Sequence, residues 1–486
     1  MDKVLSKIKR LFTRRNIDGL LDHGLGILPG AATLALAAVL IALSLGYVSL
    51  PVETKTLPRL SAFPLGNRVL VVAPHPDDEG LATAGLIRQA LAAHRKVKVV
   101  VITSGDGAQG AARAYTHDRK VVPSDYREIG RERVRESRNA MARLGLPASD
   151  LIFLAYPDGS LNSLWDGDWD YSHLHEGLNG GKHAPYDFAY EKGAPYCGAN
   201  LVANLESVMR EFKPSAIFYP DTEDQHHDHW AANAFVQYVL ADTGMKTNEY
   251  TYLVHRNDFP APRSYQPGMA LPPPPGLFPA GEKWKSLALS AADERAKERA
   301  LGSYRTARLV RNNFLEAFVR TDELEATSTV GRIPRVGAAA PRLGAGLMPF
   351  VVSGEPALDR LIPSYLHSRL LRRVGFALGR RFGYYGIESV GPISPAMAYV
   401  FRLRLFGGAG VQRVDVEVKD GRATCMLAAS NSLAPARHIP VRLYGRRLWI
   451  ELPASMFKHR REVMLDVDLM RGERRADRSA WRRYNL

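Results

Sequence analysis

Two short clusters carry side chains able to do hydrolytic chemistry. One is Pro74-His75-Pro76-Asp77-Asp78-Glu79, directly behind the β-branched run RVLVVA (Arg68 to Ala73). The other is His226-His227-Asp228-His229, a few residues behind SAIFYP (Ser215 to Pro220). Each lies between a predicted strand and a predicted helix. At the first junction His75 and Asp78, three apart, can turn towards one metal ion while Asp77 points at a neighbouring position. If both strands belong to one parallel sheet, the clusters meet at one edge of it. Two histidines and a carboxylate, with one place left for water, make an open site of the hydrolytic zinc type, which activates water and polarises a carbonyl. A solvated acidic helix N-terminus accounts for Asp77, Asp78 and Glu79, but for neither His75 nor the second cluster. A metallo-β-lactamase pattern, H-x-H-x-D-H, fails by one ligand because Asp224 stands where its first His is needed.

The elements that must position these clusters alternate. RVLVVA, KVKVVVIT (Lys96 to Thr103), DLIFLAY (Asp150 to Tyr156), SAIFYP and YTYLVH (Tyr250 to His255) read as strands. Glu79 to Ala93, Arg127 to Leu144, Asn200 to Phe212 and His229 to Leu240 have helical apolar spacing. A βαβα order predicts an α/β domain, Rossmann-like, with a mainly parallel sheet flanked by helices and a ligand site beyond the strands' carboxyl ends. Two long interruptions, Leu161 to Ala199 and Asp258 to Gly281, have the length of lids or binding loops. Ser290 to Glu325 reads as a helical closing stretch. Residues 331–383 read as a linker with a short basic helix around Ser364 to Gly383, and 384–486 as a small antiparallel β module of alternating strands.

With the elements in place, the chain resembles the LmbE-like or PIG-L family of zinc-dependent N-deacetylases. The resemblance is carried by the strand before PHPDDE, the helix RVRESRNAMARLG (Arg133 to Gly145), YPDG (Tyr156 to Gly159) and HHDH. KERALGSYRTA and FVRTDELEA, similar to the family's closing stretch, extend it over residues 68–327, within a catalytic domain drawn at 60–330. It implies that His75, Asp78 and His229 hold Zn2+, that Asp77 is the general base, and that His226 stabilises the oxyanion or assists the leaving amine with Asp228 orienting it. His227 replaces the family's proline in HPDH, which leaves His226 and His227 as alternatives. Tyr304-Arg305-Thr306-Ala307 replaces Tyr-x-Ser-Gln, so the family's glutamine has no counterpart. The implied substrate is an N-acetylglucosamine unit that loses acetate. In the aromatic insertion Trp165, Trp169 and Tyr171 are candidates to stack on pyranose rings. Asp158, Asp166, Asp168 and His173 are candidates to bond its hydroxyls. His173-x-His175 has no carboxylate or cysteine partner placed by spacing and reads as loop polarity.

Location follows from the first sixty residues. Residues 24–52 contain no Asp, Glu, Lys or Arg and include LALAAVLIALSL, a run long enough for a transmembrane anchor. Residues 1–23 carry the excess of Lys and Arg, which sets the N-terminus in the cytoplasm and the catalytic domain outside it, as in a bacterial inner-membrane protein facing the periplasm. The chain of 486 residues has net charge +15 and 46% hydrophobic content, so it is neither disordered nor collagen-like. The basic tail RRADRSAWRRYNL and LLRRVGFALGRR are candidates to meet anionic lipid or acidic glycan, or to be a solvated face. Nucleic acid is a poor partner, since no recognition motif is present. Cys197 and Cys425 cannot form a disulfide scaffold or a Cys-rich zinc site, and the sequence leaves open a single bridge between them in an oxidising compartment. The expected activity is deacetylation of a GlcNAc-type sugar in an exported or surface polysaccharide or glycolipid. The rivals are an amidase of a small glycoconjugate and a non-catalytic glycan-binding anchor.

Overall fold

The computed structural model describes residues 57–60, 66–116, 120–274, 277, 284–310, 313–337, 350–351, 370–408, 410–428 and 439–486. The apolar run 24–52 lies outside these residues. Among the described residues no helix is long and apolar enough to cross a membrane.

Strands β1 (Arg68–Ala73), β2 (Lys96–Thr103), β3 (Leu151–Tyr156), β4 (Ala216–Pro220) and β5 (Asn248–Tyr252) pair in parallel in the order β3-β2-β1-β4-β5. Helix α1 (Asp78–Ala92) joins β1 to β2, and α2 (Gln109–Thr116) with α3 (Pro123–Leu144) joins β2 to β3. After β3 come α4 (Leu161–Asp166) and α5 (Gly198–Phe212), and α6 (His227–Thr243) joins β4 to β5. Side chains of β1 alternate between two cores: Val69 and Val71 pack with α1 and α3 on one face, Leu70 and Val72 with α5 and α6 on the other. A strand buried on both faces must be apolar throughout, as RVLVVA is. The chain leaves β1 towards β2 on one side and fills β4 on the other. This reversal opens a crevice at the carboxyl ends of β1 and β4, where both His/Asp clusters begin.

The closing stretch departs from the helical expectation. It holds a helix, α7 (Ala291–Leu301), but β6 (Trp284–Ala288) precedes it and β7 (Asp322–Thr327) ends it, both antiparallel at the sheet edge beyond β5. The acidic sequence DELEAT hides a buried strand in which two carboxylates are matched by donors: Glu323 accepts the Gly85 and Leu86 amides and Lys297, and Asp322 accepts the Leu271 amide and the Ser286 hydroxyl.

The linker and the basic helix also need correction. Gly331–Arg332 is a short strand, β8, and the basic segment forms two strands, β10 (Leu371–Leu378) and β11 (Phe382–Ser389), with β9 (Phe350–Val351) against β10. Residues 364–369 lie outside the described ones. LRRVGFAL places Leu371, Val374, Phe376 and Leu378 in a core, the pattern of a strand with one register shift rather than of a helix. The remaining strands are β12 (Ala398–Phe406), β13 (Gln412–Lys419), β14 (Arg422–Ala428), β15 (Val441–Tyr444), β16 (Arg447–Pro453), β17 (Glu462–Arg471), β18 (Arg474–Arg478) and β19 (Arg482–Asn485). They form two sheets, β15-β16-β11-β10-β9 and β14-β13-β12-β17-β19-β8, which share one apolar core, with β18 paired to β17. The module thus begins at residue 331.

One strand shows how the module joins the catalytic domain. In β12, Phe401, Leu403 and Leu405 face the module's core, whereas Phe406 joins Trp165, Phe235 and Trp481 in the core shared with α4 and α6. Arg402 pairs with Asp166 at 2.9 Å and Asp468 at 3.0 Å. The basic tail is part of the same junction. Arg475 pairs with Asp166 and Asp468, Arg482 with Glu223, and Arg483 with Glu249 and Glu462, while Arg478 lies 3.3 Å from the centre of the Trp230 ring. These four arginines are therefore joined to the protein itself. Cys197 and Cys425 are both buried and free.

Candidate metal centre

Helix α1 starts at the end of β1 with Asp77 as its N-cap, at φ 148°. A non-glycine residue held at so sparsely populated a φ stores strain, and such strain concentrates at functional sites. It leaves His75, Asp77 and Asp78 all buried at the crevice. Helix α6 starts the same way at the end of β4, with His226 as N-cap and His229 wholly buried in the first turn.

Three donor atoms converge. His75 Nδ1 lies 3.1 Å from Asp78 Oδ2, His229 Nε2 lies 3.1 Å from the same oxygen, and the two nitrogens are 3.3 Å apart. Donors about 2.0–2.2 Å from a tetrahedral ion stand about 3.3–3.6 Å from one another, so this triangle needs to open by only a few tenths of an ångström. Asp78 Oδ1 is buried with no hydrogen-bond partner among the described residues, a costly state for a carboxylate oxygen. The donor set of two imidazoles and a carboxylate, with that orphaned oxygen, fits a divalent cation of the zinc class.

The remaining ring nitrogens are held by carboxylates. His75 Nε2 lies 3.0 Å from Asp228 Oδ2 and 3.1 Å from Asp158 Oδ1, and His229 Nδ1 lies 3.1 Å from Asp224 Oδ2. A carboxylate behind a ligating histidine fixes its orientation and raises its basicity. In the cation-free protein, burial opposes protonation of His229, but Asp224 and Asp78 outweigh it and push its pKa up to about 9. His75 is likewise raised well above the usual histidine range: burial works against it, and Asp158, Asp228 and Asp78 prevail.

Asp228 has a different role from the expected one. Its carboxylate accepts the amides of Gly159 (2.7 Å) and Leu161 (2.9 Å) and holds His75, while only its backbone N–H reaches His226, at Nδ1 and 3.2 Å. That bond makes Nδ1 an acceptor, which leaves the His226 proton on Nε2. Burial, then the neighbouring imidazoles of His75, His229 and His227, lower the His226 pKa, so the ring is neutral. His226 packs edge-on to His75 with ring centres 4.8 Å apart, whereas the His227 side chain is 49% exposed. Of the two alternatives, His226 is the one whose ring packs against a residue of the donor triangle.

The proposed sugar-stacking residues divide sharply. Trp165 is buried in the junction core against Phe235, Tyr238 and Trp481, and Trp169 stacks on Phe235 with Arg413 4.1 Å from its ring centre. Neither presents a face to a sugar, because the β module has covered both. Tyr171 is exposed and donates to Asn200 Oδ1 at 3.1 Å. Asp158 lies in the centre as a partner of His75, while Asp166 is committed to Arg402 and Arg475. Asp168 pairs with both His173 and His175, a carboxylate partner that spacing had not placed.

Four residues of the centre were missed. Arg133 is buried and donates to Pro76 O, Gly105 O and Asp77 Oδ2, the last at 3.2 Å. Its signal was a charge on the apolar face of α3, in line with Ser137, Ala140 and Leu144. Gly105, at φ +67°, leaves room for that guanidinium: a Cβ there would stand 2.5 Å from Arg133 Nη1. Asp224 accepts from the His226, Val254 and His255 amides as well as facing His229. His255, three residues beyond β5, joins His75, Asp78 and His229 in one group whose ligating atoms all lie within 4.8 Å of one another.

Residues 70–240 match the family described as PIG-L, GlcNAc-PI de-N-acetylase. A curated relative from Tsukamurella paurometabola, 1D-myo-inositol 2-acetamido-2-deoxy-alpha-D-glucopyranoside deacetylase, is 29% identical over 172 residues, 34% of this chain. The matched segment spans about half the length of that relative (52%). Among solved structures, the antimicrobial A40926 pseudoaglycone deacetylase aligns over 54% of this chain and 96% of its own, with 16% identity and a TM-score of 0.36. N,N'-diacetylchitobiose deacetylase from Pyrococcus horikoshii aligns over 60% and 84%, with 14% identity and a TM-score of 0.32.

Proposed function

Because residues 70–240 form a domain of the PIG-L family, we propose that this protein is a metal-dependent N-deacetylase that hydrolyses the acetamide of a GlcNAc-type sugar. The observation that carries the reading is the triangle of His75 Nδ1, Asp78 Oδ2 and His229 Nε2 beside an oxygen of Asp78 that has no hydrogen-bond partner among the described residues. A divalent cation held by these groups supplies Lewis-acid polarisation of a carbonyl and a lowered pKa for water.

The chain's own residues do the rest. Asp77 receives the proton of the attacking water: Arg133 holds its carboxylate at Oδ2, and the strained N-cap backbone sets its place beside the ligands. His226, neutral with its proton on Nε2, donates to the acetamide oxygen as negative charge develops there. Asp224, Asp228 and Asp158 keep both ligating rings oriented through the reaction. The C–N bond breaks as the proton taken up by Asp77 passes to the amine nitrogen, and acetate is released.

The apolar run 24–52 and the basic segment before it support a membrane anchor with the catalytic domain outside the cytoplasm. A glycan of an exported or membrane-associated polysaccharide or glycolipid is the substrate that such a site meets. The chemistry is tested by measuring acetate released from N-acetylglucosamine oligomers, and zinc bound, for the full chain in detergent and for Asp77→Asn. Zinc in both with acetate only from the parent is expected; zinc in neither sinks the hydrolytic reading. An alkaline phosphatase fused after Arg59 is expected to be active, and an inactive fusion overturns the topology.

A further inference from the structure

We infer that His255 is a fourth cation-binding group of this centre, so that the chain offers three imidazoles and one carboxylate to its metal. The inference rests on the metal-dependent reading above and extends it to the choice of ion.

The carboxylate of Asp78 faces two ways. Its Oδ2 meets His75 and His229, while its Oδ1, buried and without a hydrogen-bond partner among the described residues, lies 3.9 Å from His255 Nε2. That separation exceeds a hydrogen bond by about 0.7 Å, yet it is within reach for two ligands of one ion. The placement of the ring is built into the fold. Asp224 Oδ2 accepts the His255 backbone N–H at 3.0 Å and also faces His229 Nδ1, so one carboxylate sets the position of both residues. The His255 and His229 rings are 4.7 Å apart at 70°, and Phe314 lies parallel to the outer face of His255 at 5.4 Å and 7°. The His255 side chain is 15% exposed, so its imidazole is directed into the centre rather than into solvent.

A third imidazole has a chemical consequence. Nitrogen-rich sites favour zinc, cobalt and nickel, whereas magnesium and manganese prefer oxygen donors and water. The centre should therefore retain zinc against a large excess of magnesium, and water or an acetamide oxygen would enter as an additional ligand rather than fill an empty tetrahedral corner.

The test uses the full chain, stripped of metal and titrated with zinc against a chromophoric chelator at fixed pH, then loaded with cobalt for its visible spectrum. His255→Ala is expected to weaken zinc about tenfold or more and to alter the cobalt bands, which report the donor set directly. Phe314→Ala, which frees the ring but keeps the ligand, is expected to fall between His255→Ala and the parent. His173→Ala, whose side chain is 79% exposed and outside the centre, is expected to change neither reading. His255→Gln keeps side-chain volume and is judged by the same two readings should the alanine variant fold poorly. Parental zinc affinity and an unchanged cobalt spectrum in a folded His255 variant overturn the inference alone. A parent chain that takes up no zinc overturns it together with the metal-dependent reading.

Discussion

Two clusters of buried charge in this protein differ in whether their positive charge can leave. At the crevice, Asp78, Asp224, Asp228 and Asp158 surround His75 and His229, whose nitrogens turn inward on one point. At the domain junction, Asp166 and Asp468 are each shared by Arg402 and Arg475, and Asp466 lies beside Arg478 and Arg402. Guanidinium groups keep their proton at any physiological pH, so the junction is neutralised by the chain's own cations and spreads into pairs. Imidazoles can surrender theirs, and the crevice can exchange protons for a metal ion. The same rule, that buried charge must be compensated, yields an adhesive contact in one place and a reactive one in the other.

The largest predicted effects break the crevice and spare the junction. Asp78→Ala should abolish stoichiometric zinc and reduce acetate release by about a thousandfold or more, since it removes the oxygen that both histidines share. Asp77→Asn should keep zinc and lower kcat by about a hundred- to ten-thousandfold. An Asp78→Ala chain that holds one zinc and stays active would place the centre elsewhere. Next in size is the exchange itself. With His229 pushed up to about 9 and His75 raised, both rings carry protons at pH 7 in the cation-free protein, and a metal must displace them. Zinc affinity should therefore fall as pH drops from 9 to 6, by up to about tenfold per unit for each proton displaced. Titration calorimetry at pH 7 in buffers of different ionisation enthalpy should show net proton release, and a pH-independent affinity would mean the rings are neutral before metal arrives.

The catalytic half was far more legible than the junction. Strand-end clusters such as PHPDDE and HHDH announce themselves because histidine and aspartate rarely follow a β-branched run for packing reasons, and β1 and β2 were read to the residue. His255 was not legible, because its partners Asp78, His229 and Phe314 are distant in sequence, and Asp224, two residues before His226, was weighed only against another metal pattern. Trp165 and Trp169 were misread for a physical reason: aromatic rings in a polar insertion look like a sugar platform until another domain covers them, and the module that does so begins more than 150 residues later. The basic tail misled in the same way. Its arginines alternate with residues that pack inward, so composition showed a charged patch where the fold needed counter-ions for Asp166, Glu223 and Glu249.

Breaking the junction instead should leave the crevice untouched. Asp166→Ala removes a partner from Arg402 and Arg475, which keep Asp468, so the expected loss is about 1–3 kcal/mol. It should appear as a lower thermal midpoint with zinc content per folded chain unchanged. A loss of zinc in that variant would show that the module supports the centre as well as covering α4 and α6.

A third kind of buried carboxylate sharpens the comparison. Glu325 on β7 is wholly buried, neither of its oxygens has a hydrogen-bond partner among the described residues, and it has been given neither an imidazole nor a guanidinium of its own. Burial, then the charge of Glu323, raises its pKa well above the usual range, with Lys297 only partly offsetting them. The folded chain thus keeps a proton that the unfolded chain loses above about pH 4.3. Stability must fall as pH rises from there towards the folded pKa, by up to about 1.4 kcal/mol per unit from this group. Glu325→Gln, neutral at every pH, should be near parity with the parent at pH 4 and increasingly more stable up to pH 8, read as a growing gap between thermal midpoints. A gap that stays constant with pH would mean that Glu325 is ionised in the fold and compensated after all, which would return it to one of the two clusters with which it has been contrasted.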